Sequence, residues 1–99
     1  MMNPEKRVAL VTGSGRGIGR AIALAMAELG HTVAVNYRSS SVAAERLVEE
    51  ILSFGGRARA FQADVSSASE VERLFEEAES DLGPVGILIN NAGITRDGL

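Results

Sequence analysis

The run Thr12-Gly13-Ser14-Gly15-Arg16-Gly17-Ile18-Gly19 lies between a short apolar stretch, Arg7 to Val11, and an alanine-rich segment with helical periodicity. Ile22, Ala25, Met26 and Leu29 fall at i, i+3, i+4 and i+7, which predicts the buried stripe of a first helix. The glycines therefore occupy a strand-to-helix junction. The first N–H groups of a helix have no intrahelical partners there, and the helix dipole adds partial positive charge, so a pyrophosphate is favoured. Side chains in the turn would block its approach.

The spacing is selective. The common dinucleotide fingerprint G-x-G-x-x-G fails from Gly13, where it needs glycine at Ile18, and from Gly15, where it needs glycine at Arg20. The pattern that fits is G-x-x-x-G-x-G, carried by Gly13, Gly17 and Gly19 with Thr12 in front.

Glycine punctuation sets out the rest of the chain. Gly30, the pair Gly55-Gly56, and Gly83-Pro84 each close a helical pattern and each precede an apolar run. The expected order is β-α-β-α-β-α-β. Strands are expected at Arg7 to Thr12, Thr32 to Tyr37, Arg59 to Ala63 and Gly86 to Asn90, and helices at Ile18 to Leu29, Val42 to Phe54 and Ala68 to Leu82. Ala44, Leu47, Val48 and Ile51 share one face of the second helix. Val71, Leu74, Phe75, Ala78 and Leu82 share one face of the third, and Ser67 with Glu70, or Ser69 with Glu72, is placed to form a capping box at its start. Short apolar strands joined by helical crossovers imply an α/β fold: a Rossmann-like parallel sheet in the order 3-2-1-4, with helices on both faces. Right-handed crossovers put the first two helices on one face and the third on the other. One face then carries a single helix, and Ile87-Leu88-Ile89-Asn90 forms an open edge, so residues 1–99 are expected to be the N-terminal half of one domain, truncated after the fourth strand.

Composition excludes several functions. The chain has 99 residues, no cysteine and one histidine, His31, so disulfides, thiolate metal sites and histidine clusters are excluded. Its formal net charge is -3 and nothing argues for nucleic acid, so no nucleic-acid partner is expected; nine of its thirteen acidic residues fall on the polar sides of the second and third predicted helices, where they read as solvated helix faces. With no signal peptide, membrane-length apolar span or low-complexity tract, a cytoplasmic protein with no membrane partner is expected.

Three motifs taken in order resemble those of the short-chain dehydrogenase/reductase family: Thr12-Gly13-x-x-x-Gly17-x-Gly19, then Asp64-Val65 after the third strand, then Asn90-Asn91-Ala92-Gly93 after the fourth. The resemblance implies a nicotinamide-dinucleotide site. Gly13, Ser14, Gly15, Arg16, Gly17, Ile18 and Gly19 would form its phosphate turn, Asp64 beside Val65 would accept the adenine amino group, and Asn90 would brace the sheet and the loop around the adenosine ribose. Asn91 lies in the same loop, and Ala92-Gly93 would let the backbone pass close to the cofactor.

Cofactor choice follows from the end of the second strand, Asn36-Tyr37-Arg38-Ser39-Ser40. An acidic residue there suits the ribose 2′-hydroxyl of NAD, and an arginine suits a 2′-phosphate. No acid is present, and by resemblance Tyr37 stands where NAD-specific members carry one. Arg38 and Arg16 are placed to form a cationic clamp, with hydroxyl donors from Ser39 or Ser40, so NADPH is the expected cofactor.

Val35-Asn36-Tyr37 and the closing stretch Asn90 to Leu99 are similar to bacterial 3-oxoacyl-acyl-carrier-protein reductases and the related acetoacetyl-CoA reductases. That resemblance implies reduction of a 3-oxoacyl thioester, carried on acyl carrier protein or coenzyme A, to the 3-hydroxyacyl thioester within fatty acid biosynthesis. It also implies a homo-oligomer for the full-length protein. The family's serine, its Tyr-x-x-x-Lys pair and its helical asparagine would lie beyond Leu99, in a missing C-terminal half or a second chain. No catalytic residue is therefore assigned within these residues, and the chain alone is expected to be inactive. A non-catalytic dinucleotide-binding module and a structural relative without redox chemistry are the alternatives, because fold alone does not establish function.

Overall fold

The computed structural model describes residues 6–92. Four strands, β1 (Val8–Val11), β2 (Thr32–Tyr37), β3 (Arg57–Gln62) and β4 (Val85–Ile89), alternate with three helices, α1 (Gly17–Glu28), α2 (Ser41–Ser53) and α3 (Ala68–Leu82). All neighbouring strands pair in parallel, in the order β3-β2-β1-β4, as the alternation of elements requires. Strand β3 begins two residues earlier than the sequence suggests, because Arg57 pairs with Thr32 as soon as Gly55-Gly56 has ended α2.

The period-two alternation of the strands divides the core into two layers. Val11, Val33 and Val35 pack with Ala23 and Ala27 of α1 and with Ala44, Leu47, Val48 and Ile51 of α2. Leu10, Ala34, Phe61 and Ala63 face the other way, onto Leu74 and Ala78 of α3. Two helices therefore cover one face and one covers the other. Along the β1–β4 pair the register shifts between Val8 and Ala9, so Gly86 has no Cα partner on β1. A Cβ at Gly86 would lie 3.0 Å from the Arg7 side chain.

Two local expectations are corrected. The buried line of α1 is Gly19, Ala23 and Ala27, with Ile22 and Met26 only partly buried, whereas Ala25 is exposed and Leu29 is 61% exposed. Small residues at i, i+4 and i+8 let the helix axis lie close to β1 and β2, so the larger side chains flank the contact instead of filling it. At α3, Ser67 is the N-cap residue but makes no side-chain cap bond, and its hydroxyl meets that of Ser69 at 3.2 Å. Glu70 instead reaches back past the cap to accept the Asp64 N–H at 2.7 Å.

The C-termini of α1 and α2 share one hydrogen-bond pattern. Gly30 and His31 donate to Ala27 and Met26, while Gly55 and Gly56 donate to Leu52 and Ile51, so each helix ends in a double reverse bond that turns the chain toward the next strand. Leu74 is fully buried in the layer beneath α3. Leu74→Ala is expected to cost about 2–5 kcal/mol of unfolding free energy, measured by urea denaturation.

Candidate functional site

The glycine turn runs from the end of β1 into α1 across the carboxyl ends of the strands. Gly13 and Gly17 have φ of 60° and 63°, in the left-handed region that side chains disfavour. A Cβ at Gly17 would meet nothing within 4 Å, so the turn is open to solvent at that point. Gly19 is constrained by contact instead. A Cβ there would lie 2.6 Å from Asn91 Nδ2 and closer still to the Gly13 carbonyl oxygen. Gly15 is under neither restriction, since its Cβ would make an ordinary 3.5 Å contact with Ala43. The N–H groups of Gly17, Ile18 and Gly19 precede the first i to i−4 bond at this end of α1, from Arg20 N–H to the Arg16 carbonyl.

The turn is held from both sides. The Thr12 hydroxyl accepts the Ala92 N–H at 3.0 Å and donates between Asn90 Oδ1 at 3.3 Å and the Ile89 carbonyl at 3.4 Å. Asn91 donates through Nδ2 to the Gly13 carbonyl at 3.1 Å. Asn90 therefore meets Thr12, and Asn91 meets the glycine turn. On the opposite side, the Ser14 N–H and hydroxyl both donate to the Asn36 carbonyl, at 3.0 and 3.3 Å. Ser14 is fully buried and turned toward β2, so its hydroxyl is directed away from solvent.

Two cavities adjoin at Gly13 and Arg38. One, of about 300 Å³, is bounded by Asn36, Ala63, Asp64, Val65, Asn90 and Ala92; the other, of about 270 Å³, by Gly15, Arg16, Tyr37, Ser39 and Ser40. The sequence-predicted residues thus converge on one edge of the sheet. Ser14 is turned inward, Ile18 is exposed on α1, and Gly93 lies outside the described residues. A larger cavity of about 460 Å³ lies between β3 and α3, but its wall includes the ion-paired Arg59 and Asp81 and no residue of the glycine turn. Among the described residues no cluster of metal-ligating side chains occurs, and no helix is long and apolar enough to cross a membrane.

The Asp64 carboxyl has a lowered pKa. The Ser66 hydroxyl and N–H donate to Oδ1 at 2.6 and 3.0 Å, and the Arg38 guanidinium stands 3.9 Å from Oδ2. The two Ser66 hydrogen bonds lower its pKa below the ordinary 3.8; desolvation opposes them, and the Arg38 charge adds the smallest contribution, also downward. Ser66 donates to Oδ1, Arg38 approaches Oδ2, and Asp64 lines the cavity of about 300 Å³.

Asn36 is the residue that sequence reasoning passed over, having used it only as part of a resemblance. It is 1% exposed, with its Oδ1 on the Gly13 N–H and its Nδ2 on the carbonyls of Phe61 in β3 and of Ala63 just after it. The available signal was an amide continuing the Val33-Ala34-Val35 strand, on the same inward face as Ala34.

Two outcomes test this geometry. Gly19→Ala should separate Asn91 from the Gly13 carbonyl and destabilise the protein by about 1–3 kcal/mol, read by denaturant unfolding. The Asp64 carboxyl carbon should titrate by NMR with a midpoint below 3.8. Because the folded-state pKa is the lower one, Asp64 contributes stability that is present above about pH 3.8 and is lost as pH falls through the folded value. Asp64→Asn should remove that contribution.

The short chain dehydrogenase family matches residues 7–99. The 3-oxoacyl-[acyl-carrier-protein] reductase FabG of Staphylococcus aureus is 54% identical over 91 residues, covering 92% of this chain and 37% of the relative. The 3-oxoacyl-[acyl-carrier-protein] reductase of Synechocystis is 52% identical over 93 residues, covering 94% of this chain and 38% of the relative. The crystal structure of a short chain dehydrogenase from Mycobacterium avium superposes with a TM-score of 0.83 at 40% identity, covering 91% of this chain and 35% of that one. This chain spans somewhat over a third of the length of its curated relatives. The glycine turn at the end of β1, the parallel sheet that carries it and these matches together make the chain a member of the short-chain dehydrogenase/reductase family.

Proposed function

We propose that residues 1–99 form the nucleotide-binding part of an NADPH-dependent ketoreductase that converts 3-oxoacyl thioesters to 3-hydroxyacyl thioesters in fatty acid biosynthesis. The observation that carries this reading is the pair of cavities joined at Gly13 and Arg38, with Arg16, Ser39 and Ser40 around one of them and no acid at the end of β2. The thioester substrate is supported by identity to relatives named 3-oxoacyl-acyl-carrier-protein reductases. An acyl carrier protein or coenzyme A thioester, a homo-oligomeric full-length enzyme and a cytoplasmic setting belong to the same proposal.

The residues present suit such a cofactor. The open turn at Gly17 and the N–H groups at the start of α1 suit a pyrophosphate, and Arg16 and Arg38 suit a 2′-phosphate. The Asp64 carboxylate is an acceptor available to the adenine amino group, while the Thr12, Asn90 and Asn91 contacts hold the loop on the other side of the turn. The bound nicotinamide would supply hydride to the substrate carbonyl. The reduction also needs a proton donor and a group that stabilises the oxyanion. Tyr37, the only tyrosine, packs against the α1–α2 layer and lines the cationic cavity, so it serves the nucleotide and not the carbonyl.

Arg38 has a side chain 78% exposed, free to turn onto a phosphate. Arg38→Asp removes that cation and sets a second carboxylate beside Asp64. Its NADPH affinity should fall by about 2 kcal/mol, roughly thirtyfold, with a much smaller effect on NADH, as read by calorimetric titration. Unchanged NADPH affinity would remove Arg38 from the site. The full-length protein should oxidise NADPH with acetoacetyl-CoA, followed by loss of NADPH absorbance, whereas this chain alone should give no turnover. Turnover by the chain alone would overturn the assignment of catalysis to residues beyond Leu99; no turnover by the full-length protein with any 3-oxoacyl thioester would overturn the substrate.

A further inference from the structure

Asn36 sits near the end of β2, where three segments meet. Its Oδ1 accepts the Gly13 N–H at 3.1 Å, and its Nδ2 lies 3.3 Å from each of the Phe61 and Ala63 carbonyls and 3.4 Å from that of Tyr37. Its own carbonyl accepts both donors of Ser14. The side chain must therefore accept on one side and donate on the other while buried and uncharged. A neutral amide does both, and an ionised carboxylate of the same shape only accepts. Asn36 also lines the cavity bounded by Gly13, Arg38 and Asp64.

We infer that Asn36 is the positioning residue of the nucleotide site: it sets the direction of the Gly13 peptide and the separation between the glycine turn and the Ala63-Asp64 wall. The inference rests on the dinucleotide reading given above. Asn36 acts through Gly13, Ser14 and Ala63, so removing its amide should disturb pyrophosphate and adenosine binding together.

The test is Asn36→Asp in the full-length protein, with NADP⁺ as the probe because it withstands mild acid. Burial and two or three facing carbonyls favour the protonated form of the new carboxyl, which donates to a carbonyl and accepts from Gly13 as the amide does. The charged groups on the same cavity, Arg38 and Asp64, are common to both proteins and cancel in their comparison. At about pH 8 the ionised variant should bind NADP⁺ on the order of tenfold or more weakly than wild type, and at about pH 5.5 the ratio should approach one. Without nucleotide, the Gly13 amide of the variant should lose hydrogen-exchange protection over the same pH range, relative to wild type. Asn36→Ala, which leaves a gap that water can enter from the cavity, should show the loss of affinity without the pH step. Equal affinity of wild type and Asn36→Asp at both pH values, or an affinity ratio independent of pH, would overturn the positioning role alone. Failure of wild type to bind any dinucleotide would overturn the reading of the site itself.

Discussion

A turn that enters a helix from a central strand leaves backbone donors and acceptors without ladder partners, and a buried one must find them elsewhere. Here the Gly13-Ser14 segment finds them in two directions. Asn36 takes the Gly13 N–H and both Ser14 donors from the β2 side, and Asn91 gives a hydrogen bond to the Gly13 carbonyl from the β4 side. The rest of the site depends on this double anchorage, because the same contacts fix where α1 begins and where the loops after β2 and β4 lie. No described buried side-chain polar atom is left without a partner.

The packing of the helices serves that anchorage. Gly19, Ala23 and Ala27 bring α1 close to the sheet, and the space that closes at Gly19 is where the Gly13 carbonyl and Asn91 meet. A larger residue on that line would lift the helix and pull apart a hydrogen bond made by a loop from the far end of the chain. Core packing and site geometry are thus one constraint at this point. On the other face, Phe61 and Ala63 pack on α3 while their carbonyls receive the Asn36 amide, so the C-terminal end of β3 and the residue after it support both the apolar layer and the polar junction.

Charge is arranged differently inside and outside the site. Arg73 pairs with Glu70 and Glu77 along α3 and donates to the Gln62 carbonyl of β3, and Arg20 of α1 pairs with Glu50 of α2; these part-exposed pairs add little stability each. Among the described residues Arg38 forms a 3.9 Å ion pair with Asp64, and its side chain is mostly exposed. A weakly held arginine can turn to an anion without first losing a strong buried pair, and Asp64 stays ionised beside it because Ser66 donates to it twice.

The strand-helix alternation, the position of the glycine turn and the inward faces of α2 and α3 were legible in the sequence because each is a local pattern: a glycine spacing, a period of two or a period of 3.6. The α1 stripe was misread because a rule that favours large apolar residues overlooks a helix whose contact is made by Gly19, Ala23 and Ala27. The Ser67 cap was misread because a capping pattern does not reveal that Glu70 has a nearer donor at Asp64. The sequence by itself determined the order of the elements and the kind of turn that ends β1, since backbone sterics and side-chain periodicity act over a few neighbouring residues. Only the tertiary structure decided that Asn36 and Asn91 would converge on Gly13 from positions remote in the chain and that Ser14 would face inward, because those contacts form only when the parallel sheet brings β2, β1 and β4 side by side.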